Sequence, residues 1–162
     1  MPASIEERRP LDQAPAGGLE LLNQLGEPVK LADFAGRVVA LFFYPKDDTP
    51  GCTVEGKEFR DFHDEFAALD CAVIGVSVDP VESHRAFAEK HAFPFQLLAD
   101  TDGRLAGAFG VLRDGKAERT TFVIGSSGRI RHTFREVSPR GHALQVLNFV
   151  RSLRQSKLML GG

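Results

Sequence analysis

Residues 37–45, "RVVALFFYP", leave the chain few ways to fold. A strand with one wet face alternates apolar and polar residues, whereas this run is β-branched and aromatic throughout, so it must be covered on both faces; Pro45 then stops it. Residues 71–79, "CAVIGVSVD", repeat the pattern. Between the two runs Phe59, Phe62, Phe66 and Leu69 recur at helical spacing, which predicts a helix over that stretch and a parallel strand–helix–strand unit.

The remaining segments extend this unit. "LELLNQLGEPVKLA", 19–32, carries short apolar stretches around Gly26-Glu27 and reads as an N-terminal β-hairpin at one end of the domain. "VESHRAFAEKHA", 81–92, reads as a helix, "FQLLAD" after Pro94 as a short strand and "GRLAGAF" as a helical turn. "TTFVIGSSGRIRHTF" gives two strands around Ser126-Ser127-Gly128, and "SPRGHALQVLNFVRSLRQ" a closing helix with Ser138 as its cap and Pro139 in its first turn. The expected fold is α/β: a thioredoxin-like arrangement with a mixed central sheet and helices on both faces. Residues 1–18 are expected to be an N-terminal extension and 19–162 a single domain.

Composition restricts partners and compartment. A net charge of −2 gives no electrostatic reason to expect nucleic acid or an acidic membrane. "MPASIEERRPLDQAPAGG" has no apolar core of a secretory signal and no run approaches a membrane span, so a cytoplasmic protein is expected, a monomer or weak dimer. Two cysteines, Cys52 and Cys71, are too few for a disulfide scaffold or a zinc site, and a reducing compartment keeps them as thiols unless one is catalytic.

Cys52 has the more suggestive setting. In "DDTPGC" Thr49 reads as a helix N-cap, Pro50 as the first helical residue and Cys52 as the third. A capping box places an acid at that third position, facing unpaired N–H groups and the positive end of the helix dipole, so a thiolate there is stabilised as a carboxylate would be. A lone cysteine more often packs as a small apolar residue; the Thr-Pro-Gly lead-in after a buried strand favours a reactive thiolate. Gly51 lets a ligand approach the backbone.

These residues resemble the peroxiredoxin active-site signature Pro-x-x-x-Thr-x-x-Cys, met by Pro45, Thr49 and Cys52. With "RDF", "VIGVSVDPVESHRAFAEKHAFPFQLLAD", "RTTFVI" and "RGHALQVL", the match from about Leu19 onward resembles the bacterioferritin comigratory protein branch, also called Q-type. The resemblance implies a thioredoxin-like fold and a peroxidase that reduces hydrogen peroxide and organic hydroperoxides. It implies that Cys52 attacks the peroxide, that Thr49 and Arg119 hold thiolate and peroxide, and that Pro45 shields the site. The implied partners are a peroxide and an external thiol reductant such as thioredoxin or glutaredoxin with glutathione.

Ionisation alone cannot make such a thiol fast. Lowering a thiol pKa from about 8.5 to about 6 raises its thiolate fraction about thirtyfold at neutral pH, but a Brønsted slope of about 0.4–0.5 removes about tenfold of nucleophilicity. The rest must come from orienting the O–O bond and stabilising the departing oxygen, for which Thr49, Arg119 and backbone N–H groups are the candidates. Without the resemblance, Arg119 would read as a solvated arginine before a strand and Thr49 as a plain cap.

The chain departs from the branch in its second cysteine. Many members carry a resolving cysteine where Lys57 stands here, others near Phe87 or Ala88, and this chain has neither. Cys71 reads as a small core residue entering a strand. A one-cysteine cycle is therefore expected. A disulfide oxidoreductase is disfavoured because Cys52-Thr53-Val54-Glu55 lacks the paired cysteine; a redox-sensing or chaperone-like thiol protein is the alternative from another class. No cofactor or metal is expected: His84 and His91 read as a surface pair, "ADTDG" at 99–103 lacks the later ligands of a calcium loop, and no glycine-rich phosphate loop follows a strand. Arg129, Arg131 and Arg135 read as the solvated face of a hairpin.

Overall fold

A computed structural model describes residues 12–159 of the 162. Of the extension expected at 1–18, residues 1–11 lie outside the described residues.

The run at 37–45 becomes β3 (Val38–Phe43), which lies inside the sheet. It pairs in parallel with β4 (Cys71–Ser77), Val38 opposite Cys71 and Phe43 opposite Val76. On its other side it pairs antiparallel with β8 (Thr120–Ile124), Phe43 opposite Thr120. With β1 (Leu21–Asn23), β2 (Pro28–Val29), β5 (Gln96–Ala99) and β9 (Ile130–Phe134), the sheet runs β2-β1-β5-β4-β3-β8-β9. The expected N-terminal hairpin forms, and β1 also pairs antiparallel with β5, extending the main sheet.

The continuous apolar run divides by strand alternation. Ala40, Phe42 and Tyr44 face a core shared with α1 (Pro50–Asp61), α2 (His63–Ala68), α3 (Val81–His91) and α5 (His142–Met159), through Phe59, Phe66, Phe87 and Val146. Val39, Leu41 and Phe43 face Leu105 and Ala106 of α4 (Arg104–Ala108) together with Phe109. Each large side chain so buried contributes about 1.5–3 kcal/mol, which explains why β3 carries no polar position.

Two local expectations are corrected and one element is new. The helix expected from Cys52 to Leu69 breaks at Phe62, the last cap of α1 and the first of α2, and the bend brings Phe59 and Phe66 into one core with ring centroids 5.8 Å apart. The closing helix starts at His142, and Ser138 does not cap it. Residues 137–141 are held elsewhere: the Val137 N–H reaches the Arg119 carbonyl at 3.4 Å, and the Gly141 N–H donates to Glu58 Oε1 at 2.8 Å. A small hairpin, β6 (Leu112–Arg113) and β7 (Lys116–Ala117), was not anticipated; Asp114 and Gly115 both adopt positive φ there, as a two-residue turn of that twist requires. Among the described residues no helix is long and apolar enough to cross a membrane.

Candidate active site

The loop between β3 and α1 delivers Cys52. Thr49 is the N-cap, extended at φ −90° and ψ 155°, and Pro50 opens the helix, as its fixed φ favours. The Thr49 carbonyl accepts the Thr53 N–H at 2.8 Å, but its hydroxyl does not cap: it donates to the Lys46 carbonyl at 2.9 Å. With no capping hydrogen bond from the Thr49 side chain, the first-turn N–H groups and the dipole are left to the Cys52 sulfur and to whatever oxygen it meets. Cys52 is only 2% exposed. Pro45 is half-buried at the start of the same loop.

Cys52, Glu55, Gly56 and Phe59 form the buried face of α1. Arg119, just before β8, reaches across to this face. Its Nη2 donates to Cys52 Sγ at 3.3 Å and its Nη1 to Glu55 Oε1 at 2.8 Å, so one planar guanidinium links the sulfur to a buried carboxyl group. Burial weakens the hold of Arg119 on its proton, but Glu55 and Cys52 outweigh that and raise its pKa. Glu55 is fully buried and its Oε2 has no partner among the described residues; burial pushes its carboxyl up to about 7, against the pull of Arg119. Gly51 permits the contact, since a Cβ there would lie 3.0 Å from Arg119 Nη2 and 3.3 Å from Pro139 Cγ.

A buried polar network holds the loop from behind. Asp47 Oδ1 accepts from the Tyr44 hydroxyl at 2.6 Å; Oδ2 accepts from Ser83 Oγ at 2.8 Å and lies 2.7 Å from His84 Nδ1. His84 Nε2 lies 2.9 Å from the Leu98 carbonyl. His84 is thus fully buried, correcting the expected surface pair; its ring ties the active-site loop to α3 and β5. Asp48 adds an exposed bridge to α3, accepting from Lys90 at 3.0 Å. Among the described residues, Asp47, Asp79 and His84 bring possible metal ligand atoms within 4.8 Å of one another. Both Asp47 oxygens are already engaged, and Asp79 Oδ2 accepts from the Asp47 N–H and from Ser77. The acidic turn at 99–103 acts as a cap: Asp100 accepts the Leu105 and Ala106 N–H groups.

Of the four expected site residues, the structure brings Cys52 and Arg119 into contact and places Thr49 and Pro45 on the loop that leads to them. Sequence reasoning missed Glu55, although its position on the same helical face as Cys52 and Phe59 was a signal, since an acid on a buried face needs a partner. Cys71 is buried at the opposite end of the sheet, paired with Val38, and burial pushes its thiol up to about 12.

The AhpC/TSA family model matches residues 10–133. The chain is 43% identical over 148 residues to the peroxiredoxin Bcp of Bacillus subtilis, covering 86% of this chain and 94% of that protein. It is 36% identical over 138 residues to the chloroplastic peroxiredoxin Q of Sedum lineare, covering 83% and 74%. The solved bacterioferritin comigratory protein of Xanthomonas campestris superposes with a TM-score of 0.84 at 35% identity, over 87% of this chain and 95% of that one. Since the likeness extends from the helix carrying Cys52 through the strand that follows Arg119, the chain belongs to the AhpC/TSA family, as a thiol-dependent peroxidase among the Bcp and Q-type peroxiredoxins.

Proposed function

We propose that Cys52 is the peroxide-reacting cysteine of a one-cysteine cycle, with Arg119 as the group that holds sulfur and peroxide together. The Cys52 thiolate attacks the terminal oxygen of R–O–O–H, the S–O bond forms as the O–O bond breaks, and the departing oxygen takes a proton to leave as alcohol or water. Arg119 and the first-turn N–H groups of α1 stabilise the charge moving onto that oxygen. Thr49 orients the peroxide with its hydroxyl and Pro45 limits water at the sulfur. Two external thiols then reduce the sulfenic acid. The observation that carries this reading is the 3.3 Å approach of Arg119 to Cys52 Sγ, with Glu55 fixing the other arm of the same guanidinium.

Alkyl hydroperoxides are included as substrates because the Xanthomonas campestris structure is described with alkyl peroxide reduction activity. A one-cysteine enzyme that depends on outside thiols suits a reducing compartment such as the cytoplasm, and the protein acts as a monomer or weak dimer. The test is peroxide consumption with dithiothreitol. Cys52→Ser abolishes it and Cys71→Ser retains it; activity that survives the first change, or vanishes with the second in a folded protein, overturns the assignment.

A further inference from the structure

A one-cysteine cycle leaves one question open on the protein surface, namely where the outside thiol sits while it attacks a sulfur that is 2% exposed. A cavity of about 400 Å³ lies against Arg119, lined also by Arg113, Glu118, Arg135, Glu136 and Val137. Two of its lining residues also bear on the reaction centre. Arg119 is common to both, and Val137, whose N–H reaches the Arg119 carbonyl, begins the extended segment whose Pro139 would meet a Cβ on Gly51. That volume suits a small organic molecule.

The charges in the cavity narrow the ligand. Arg119 is committed to Cys52 and Glu55, and Arg113 to Glu118 at 2.6 Å. Among the described residues this leaves one cation, Arg135, and one anion, Glu136, without an ion pair. Both are exposed. A free carboxylate matches Arg135 as a planar acceptor of its fork, and an ammonium matches Glu136.

We propose that this cavity docks the resolving reductant and that the reductant is a low-molecular-weight thiol built on an α-amino acid, its carboxylate on Arg135 and its ammonium on Glu136. The inference rests on the one-cysteine reading. The docked thiol RSH attacks the Cys52 sulfenic acid, an S–S bond forms as the S–O bond breaks, and the hydroxyl leaves as water. A second RSH attacks the RS sulfur of the mixed disulfide, releasing RSSR and returning Cys52 as a thiol; two thiols are oxidised for each sulfenic acid reduced.

The experiment compares glutathione, which carries both charges, with dithiothreitol, which carries neither, in steady-state peroxide turnover by the full chain. Arg135→Glu lowers the ratio of glutathione-supported to dithiothreitol-supported kcat/KM by about tenfold or more, and Glu136→Lys lowers it in the same direction. Arg129→Glu, on the hairpin away from this cavity, leaves the ratio unchanged. Because the readout is a ratio within each variant, loss of folding cannot imitate it. An unmoved ratio in Arg135→Glu overturns the inference, as does a variant that instead discriminates between anionic and neutral hydroperoxides in the oxidation step. Single-turnover oxidation of wild-type Cys52, followed before any thiol is added, is read separately: its absence defeats the peroxidase reading itself.

Discussion

Glu55 Oε1 accepts a hydrogen bond from Arg119 Nη1 at 2.8 Å while Glu55 Oε2 lies buried with no partner among the described residues. The pair therefore fixes the guanidinium beside Cys52 through a carboxyl that is itself poorly solvated. An uncompensated buried oxygen is costly, and the raised carboxyl pKa expresses that cost.

Two buried groups on this side of the sheet give opposite dependences of stability on pH. Glu55 moves from 4.5 up to about 7, so its contribution is full below about 4.5 and is lost as pH rises through 7. His142, whose Nε2 lies 2.6 Å from the Thr121 hydroxyl oxygen, is pushed down from 6.5 to about 4 by burial. Its contribution is present above about 6.5 and is lost as pH falls through 4. Each amounts to about 3 kcal/mol, and the two largely cancel between about pH 4.5 and 6.5. Urea unfolding at several pH values checks this: relative to wild type, Glu55→Gln gains stability with rising pH across that window and His142→Gln loses it, each by a few kcal/mol.

Arg119→Ala is expected to slow oxidation of Cys52 by about 10²–10³, the usual effect of removing one donor aimed at developing charge. Arg119→Lys should recover little, because a single ammonium cannot hold Glu55 and the sulfur side together. The second-order rate constant is measured at a pH where the thiol of each variant is fully ionised. Complete recovery of the rate there would show that Arg119 acts only through ionisation.

Gly51→Ala places a methyl 3.0 Å from Arg119 Nη2 and 3.3 Å from Pro139 Cγ, so the guanidinium must shift away from the sulfur. Oxidation of Cys52 is expected to slow about tenfold or more, in keeping with the sensitivity of reaction rates to small misplacements. Thermal unfolding should change little, because the nearest atom is the far end of the half-buried Arg119 side chain and the next belongs to Pro139, outside any helix or strand. A large drop in Tm with an unchanged rate would contradict the geometry.

Cys52 and Cys71 should not crosslink within one chain. Cys71 pairs with Val38 at the start of β3, whereas Cys52 follows the far end of that strand, and the strand alone spans roughly 16 Å at about 3.3 Å per residue. A disulfide needs Cα atoms about 4.4–6.8 Å apart. The raised pKa of Cys71 also leaves almost no thiolate at neutral pH. Peptide mapping without reductant, after one equivalent of peroxide, should find Cys52 oxidised and Cys71 free; a dominant Cys52–Cys71 peptide pair would defeat the one-cysteine cycle.

What the sequence determined by itself was local. The unbroken run at β3 demanded cover on both faces, and Thr49-Pro50-Gly51-Cys52 demanded a helix start with sulfur in its first turn, because propensity, capping and proline geometry act over a few residues. Tertiary structure decided what long-range packing controls. Arg119 and Glu55 are 64 residues apart, and only the pairing of β8 with β3 brings the guanidinium over α1. The same pairing logic buries His84, because Asp47 from the active-site loop and the Leu98 carbonyl from β5 satisfy its two ring nitrogens, which no helical periodicity could announce. It also delays α5 to His142, since residues 137–141 are held against Arg119 and Glu58 before the helix can begin. Thr49 shows the division within one residue: its role as N-cap was readable from its neighbours, whereas the direction of its hydroxyl, toward Lys46, depended on the three-dimensional path of the loop.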